Sequence, residues 1–322
     1  VLGSVAFIGL NILFLVVLRL GLMGYFLSSI LGNLAQVFYL TGVTQTWRYL
    51  RFQKMNKDTE SSMLKYSCPL IANTVAWWIT NASDRYVVIW LCGTAANGIY
   101  SVAYKIPSIL NILQSIFTQA WMLSAVKEFD PEDKDGFFSN MYNGFNCLMV
   151  LACSLLILSD KFFARILYAK DFYKAWEYVP FLLISIVFGA TSGYIGGIFS
   201  ALKEAKMLAQ STTIGAIVNI ILNIVLVYMV GPIGAAISTA ISYIVVWGIR
   251  LCYMRKYLQA KLYLKRDIVS YVLLIAQVIL LLLMQSGCRM YMIEIVLLVM
   301  LIALYHKEIL IPLGVLKSKV CR

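Results

Sequence analysis

The chain has 322 residues, 61% of them hydrophobic and 13% charged, with a mean hydropathy of +0.82 and a net charge of +12. Soluble domains carry about 45–50% apolar and about 25% charged residues, so the composition excludes an enzyme built on a large hydrated domain. The long unbroken apolar runs also exclude a β-barrel, whose strands alternate apolar with polar residues.

Bounded by charges, Gly and Pro, the apolar runs predict an all-α integral membrane protein of about ten transmembrane helices of about 20 residues each. They lie at 1–18, 22–43, 68–92, 97–125, 141–159, 176–200, 207–230, 232–254, 268–286 and 290–306. The opening run lacks Met, a charged leader and a cleavage site, so it is read as a helix rather than a signal peptide, and the chain is expected to come from something longer. Water-exposed stretches at 44–67, 126–140, 160–175 and 255–267 are too short to fold alone, which places function inside the bundle. The acidic stretch Glu128 to Asp135 is expected to be a solvated turn. The seven cysteines form no CxxC pair and mostly sit in apolar runs, as small core residues do, and the lone His306 has no partner for a metal site.

Lys and Arg in alternate loops set the orientation of a membrane bundle. One side collects Arg48, Arg51, Lys54, Lys57 and Lys65, then Lys127 and Lys134, then Lys203 and Lys206. It also takes the six basic residues from Arg250 to Arg266 and the four of the tail, nineteen in all. The other side has six: Arg19, Lys161, Arg165, Lys170, Lys174 and Arg289. Both ends of the chain are therefore expected in the cytoplasm. The same count explains the basic excess by topology, so no nucleic-acid partner is expected.

Two basic residues remain inside apolar runs, Arg85 and Lys105, with the acids Asp84 and Glu294. An ionisable group at membrane depth normally faces the bundle interior, pairs with another group or marks a pathway. Helix counting puts both cations roughly 10 Å below the outer surface, on antiparallel neighbours joined by a tight connection at Gly93 to Gly98. Asn73, Trp77, Asn81 and Asp84 form one polar stripe at helical spacing; Ser101, Lys105, Ser108, Ser115 and Gln119 form a facing one. Together they suggest the wall of a hydrated cavity, the alternative being an Asp84–Lys105 or Asp84–Arg85 pair that fixes packing. Pro107, read as lying inside the second helix, would kink it. Asn219 and Asn223, the glycines 189, 193, 196 and 197, and Ser238, Thr239 and Ser242 are read as close-packing positions. Glu294 has no evident partner other than Arg289.

The segment from Lys65 to Ala125 resembles the polysaccharide-exporter branch of the MOP flippase superfamily, the Wzx-type O-antigen and capsule repeat-unit flippases. The resemblance rests on Pro69, Asp84-Arg85-Tyr86, Gly93, Gly98-Ile99-Tyr100-Ser101, Ala103-Tyr104-Lys105 and Ala120-Trp121. A second stretch is Asp171-Phe172-Tyr173, Ala175-Trp176 and Val179-Pro180. It implies a MOP/MATE-like two-lobe fold lacking about four N-terminal helices. Residues 1–43 would end the N-lobe, 44–67 would be a cytoplasmic linker and 68–254 a six-helix C-lobe. An extra helix pair at 268–306 and a cytoplasmic tail at 307–322 would follow.

The function implied is flipping of undecaprenyl-pyrophosphate-linked oligosaccharides across the bacterial inner membrane by alternating access, without covalent chemistry. Arg85 and Lys105, with Asn81 and Asn73, would bind substrate, and a proton or sodium ion at Asp84 would supply coupling. Membrane lipids, a polysaccharide polymerase and a chain-length regulator would be its partners, and no cofactor is needed. Alternatives are a MATE-type drug or metabolite antiporter and a flippase for a peptidoglycan or teichoic-acid precursor. A membrane polymerase or ligase is the remote one, since the longest outer loop, 160–175, contains no His.

Overall fold

The computed structural model describes residues 2–49, 57–285 and 287–310, and every described regular element is helical. Helix α1 (Leu2–Asn11) runs on through a π turn at Ile12–Val17 and is followed by α2 (Gly21–Thr44). Then come α3 (Lys57–Ala103), α4 (Pro107–Lys127), α5 (Phe137–Leu167), α6 (Val179–Ala201) and α7 (Ala205–Val230). The last are α8 (Ile233–Met254), α9 (Leu264–Leu283) and α10 (Cys288–Leu304). Helices α2 to α9, eight in all, are long and apolar enough to cross a membrane. Backbone N–H and C=O groups have no water to bond with in a bilayer, and helices satisfy them internally.

The chain divides into two compact units, 1–62 and 63–322. In the smaller one α1 packs on α2 through small residues. A Cβ at Gly32 would lie 3.2 Å from the Phe7 backbone, and buried Ser28 donates its hydroxyl to the Gly24 carbonyl at 2.7 Å. Apolar side chains gain little by leaving lipid for one another, so such close approach is what holds membrane helices together.

In the larger unit α6 is central, packed against α4, α5 and α8, while α7 lies on α8, and α9 and α10 pack on α5 and on each other. Helix α6 is buried almost throughout because its sequence is apolar on every face. Its glycines set the packing distance: a Cβ at Gly197 would sit 2.5 Å from Trp121 Nε1. Trp121 stacks on Tyr194 with ring centroids 4.1 Å apart and donates Nε1–H to the Tyr194 carbonyl at 2.8 Å. The tyrosine hydroxyl in turn donates to the Phe138 carbonyl at 2.7 Å, so the buried aromatic polar groups find partners.

Several boundaries differ from the sequence reading. The apolar run at 97–125 is not one helix: α3 turns at Gly93 (φ 88, ψ 170), ends at Ala103, and α4 restarts at Pro107. Pro107 thus occupies the start of a helix, where its missing N–H leaves no gap, instead of kinking a continuous one. Helix α3 begins at Lys57 rather than at 68, and α5 runs to Leu167. Lys161 and Arg165, counted above as outer-loop charges, are therefore helical, as is Arg250 in α8. The acidic turn is more than solvated surface. Asp133 accepts the Phe138 and Ser139 N–H groups at 2.9 and 3.0 Å, satisfying donors that the first turn of α5 cannot pair within the helix.

Candidate functional site: a polar cavity beside a buried aspartate

Helices α3, α4, α6 and α8 line an open cavity of about 550 Å³ whose walls include Trp77, Asn81, Gln114, Ser185, Thr239 and Tyr243. Its size lies within the range of about 300–1,000 Å³ usual for ligand pockets. The two facing stripes are partly realised in it: Trp77 and Asn81 from the first, Ser115 and Gln119 from the second.

Asp84, fully buried, stands behind this wall. Thr239 Oγ1 donates to its carboxylate at 2.6 Å, Tyr100 Oη at 2.9 Å, Tyr104 Oη at 3.4 Å and Asn219 Nδ2 at 3.5 Å. Asn223 Nδ2 makes a further, short bond. The donors come from α3, α7 and α8 and from the break before α4, so this one carboxylate ties together four chain segments. All five are neutral. The Asn223 Oδ1 atom beside it is buried and has no hydrogen-bond partner, and Ser83 donates to Asn219 Oδ1 at 2.7 Å. Asn219, Asn223 and Thr239, read from sequence as packing positions, are thus the immediate neighbours of Asp84.

The two cations singled out from sequence lie elsewhere. Arg85 and Lys105 are both exposed, and the ion pairs among the described residues involve neither. An Asp84–Lys105 or Asp84–Arg85 pair is therefore not what fixes the packing. Arg85 lies over the Tyr104 ring at 5.9 Å and lines a separate recess with Trp78, Asn81, Tyr86 and Asn97. Lys105 belongs to the lining of neither this recess nor the cavity.

The buried cation of this region is Arg250, counted from sequence as a loop residue. It lines a recess of about 110 Å³ that shares Trp77, Gln114, Gly189 and Tyr243 with the cavity. Nε donates to Ser211 Oγ at 2.9 Å, Nη1 to the Ser192 carbonyl at 2.8 Å and Nη2 to Thr212 Oγ1 at 2.8 Å. Thr212 in turn donates its hydroxyl to Asn73 Oδ1 at 2.6 Å, so Asn73 belongs to the arginine network rather than to the Asp84 wall. Every acceptor of Arg250 is neutral, leaving its charge uncompensated. The signal was present in sequence: Thr239, Ser242 or Tyr243, Val246 and Arg250 continue one stripe at threes and fours.

A family model described as "Polysaccharide biosynthesis protein" matches residues 2–122. The probable low-salt glycan biosynthesis flippase Agl15 of Haloferax volcanii is 22% identical over 206 residues, covering 62% of this chain and 43% of that protein. The chain thus spans less than half the length of that relative. Among solved structures, the lipid II flippase MurJ in its inward closed conformation superposes over 100% of this chain and 67% of its own, with a TM-score of 0.62 at 15% identity. An outward-facing multidrug-resistance MATE transporter of the MOP superfamily matches 68% of this chain and 52% of its own, with a TM-score of 0.51 at 17% identity. The fold is similar to that of these two transporters. The polysaccharide-family match and the glycan-flippase relative support the resemblance to MOP flippases drawn from the motifs, and the proteins matched are named as flippases or transporters.

Proposed function

We propose that the protein carries out ion-coupled flipping of undecaprenyl-pyrophosphate-linked oligosaccharide repeat units across the bacterial inner membrane, for surface polysaccharide synthesis. On this reading residues 1–43 close the N-lobe, α3 to α8 form the C-lobe, α9 and α10 are the added pair, and both ends of the chain face the cytoplasm. The observation that carries it is the fully buried Asp84 in its shell of neutral donors beside a cavity lined by apolar and uncharged polar side chains. An uncompensated carboxylate at membrane depth is costly unless a cation or proton joins it. Asp84, Asn219, Asn223 and Thr239 offer only oxygen ligands once the amides turn, which suits a hard cation such as sodium. Asp84 alone could instead take a proton.

Arg250 deepens the reading. An uncompensated guanidinium adjoining the cavity complements a phosphate-bearing ligand by charge and by the geometry of its N–H fork. Arg85, exposed beside Trp78 and Tyr86, is suited to first contact with such a ligand, with Lys105 as a further surface charge and Asn81 on the cavity wall. The test is complementation: the full-length gene should restore surface polysaccharide to a flippase-null strain, and Asp84→Asn should abolish that rescue at equal membrane abundance. A normal surface glycan after clean deletion in its own host, with no redundant flippase, would contradict the proposal.

A flippase for a peptidoglycan precursor is the second reading, favoured by the whole-chain likeness to the lipid II flippase. Rescue of a lipid II flippase depletion strain, without rescue of the polysaccharide strain, would select it.

A further inference from the structure

Away from the cavity, α5, α9 and α10 bury a second set of ionisable groups. Asp160 and Glu294 are fully buried, Gln277 is fully buried, and Lys161 is 5% exposed. Both carboxylate oxygens of Asp160 are buried without a hydrogen-bond partner, and the buried Glu294 carboxylate has only the Gln277 amide beside it as a neutral neighbour. Lys161 Nζ lies 4.4 Å from the centre of the Trp176 ring and 3.8 Å from Met290 Sδ. Met290 and Glu294 are one turn apart on α10, so they share a face, and the ammonium stands within electrostatic reach of both Glu294 and the adjacent Asp160. Arg165 also faces Lys161, Tyr168 faces Asp160, and Gln277 faces Glu294.

Arg165 is exposed, so two buried carboxyl groups stand against one buried ammonium and a single negative charge is left uncompensated inside if both acids are ionised. Charge of that kind is not left bare in a bilayer interior: groups there pair or neutralise by taking up a proton. A metal ion fits poorly, because hard cations need about six oxygen ligands, and the described residues bring no three His, Cys, Asp or Glu together. We propose that Asp160, Lys161, Gln277 and Glu294 form a proton-binding site that holds one proton on one carboxyl while Lys161 pairs with the other. This site is independent of the Asp84 cavity. It would give the C-terminal helix pair a contact with α5 that changes with protonation.

Dicyclohexylcarbodiimide tests this directly, because it modifies buried carboxyl groups in their protonated form. The full-length protein in lipid nanodiscs would be treated at neutral pH, and modification at 160 and 294 mapped by peptide mass. One equivalent, summed over the two positions, is expected. Lys161→Met should raise it to two, since each acid must then be neutral, and Lys161→Arg should leave it at one. Asp160→Asn should reduce modification of Glu294 to near zero, because Lys161 then balances the remaining carboxylate; this arm decides the matter if Lys161→Met does not fold. Absence of modification at both positions, or a stoichiometry unmoved by Lys161→Met and Asp160→Asn in folded protein, would overturn the proposal.

Discussion

The chemistry around Asp84 is set by its partners: hydroxyls and amides from α3, α7 and α8, and no cation. Because Lys105 is not its counter-ion, Lys105→Gln is expected to leave folding stability within about 0.5 kcal/mol of wild type, as surface substitutions usually do. Thermal unfolding in detergent would check this; a large loss would mean that an ion pair had been broken. Asp84→Asn keeps the shape and removes the charge. It should give a folded protein that no longer transports, and Thr239→Val should weaken cation dependence of transport roughly ten- to hundredfold, in keeping with the loss of a hydrogen bond to a charged group worth about 1.5–3 kcal/mol. Arg250→Met removes the donor of three hydrogen bonds, and each acceptor left unsatisfied is expected to cost about 1–3 kcal/mol. Arg250→Lys restores the charge without the fork, so it should recover stability only in part. Equal stability of the Met and Lys variants, measured by unfolding, would show that the charge contributes nothing without the fork, contrary to this expectation.

At the scale of elements, glycine and proline govern where helices turn and how closely they approach. Gly93 takes φ 88 and ψ 170, a conformation essentially confined to glycine, so Gly93→Ala should destabilise the turn by about 1–3 kcal/mol. Gly197→Ala would drive a methyl group into Trp121, and overpacking of this kind typically costs about 1–3 kcal/mol. Pro107→Ala should be nearly neutral for stability, because Pro107 starts a helix rather than interrupting one. Melting curves of the three variants would rank them.

These elements also mark what the amino-acid pattern could convey. Eight of the ten apolar runs correspond to helices long enough to cross a bilayer among the described residues, because hydrophobicity must persist for its thickness, while the first and last runs form shorter helices. Asp84 stood out because a charge in such a run is conspicuous. Arg250 and Lys161 did not, since each lies near the end of a run among other basic residues, where charge content cannot distinguish a loop from a helix extended by one or two turns. Nor could spacing alone separate Asn219 and Asn223 as packing residues from their role beside Asp84, because that depends on which helix faces them across the bundle.

For the molecule as a whole, the nineteen-to-six distribution of basic residues predicts that Lys57 and Lys261 face the cytoplasm and that Lys170 faces outward. Arg250 and Lys161 lie inside helices, whereas Arg165, Lys57, Lys65, Lys127, Lys206, Lys265, Arg266 and Arg289 are helical toward helix ends, and the imbalance survives without Arg250, Lys161 and Arg165. Single cysteines at 57, 170 and 261 in a cysteine-free full-length protein would test the orientation. An impermeant reagent added to intact cells should label position 170 alone, and labelling at 261 would reverse the assignment. Coupled flipping itself is tested most directly by the purified full-length protein in liposomes containing an undecaprenyl-pyrophosphate-linked oligosaccharide on one leaflet, with accessibility of the sugar to an impermeant lectin followed over time. A sodium or proton gradient should accelerate transfer in the wild-type protein, and Asp84→Asn should abolish the acceleration while remaining folded. Gradient-driven transfer that persists undiminished in Asp84→Asn would contradict the account.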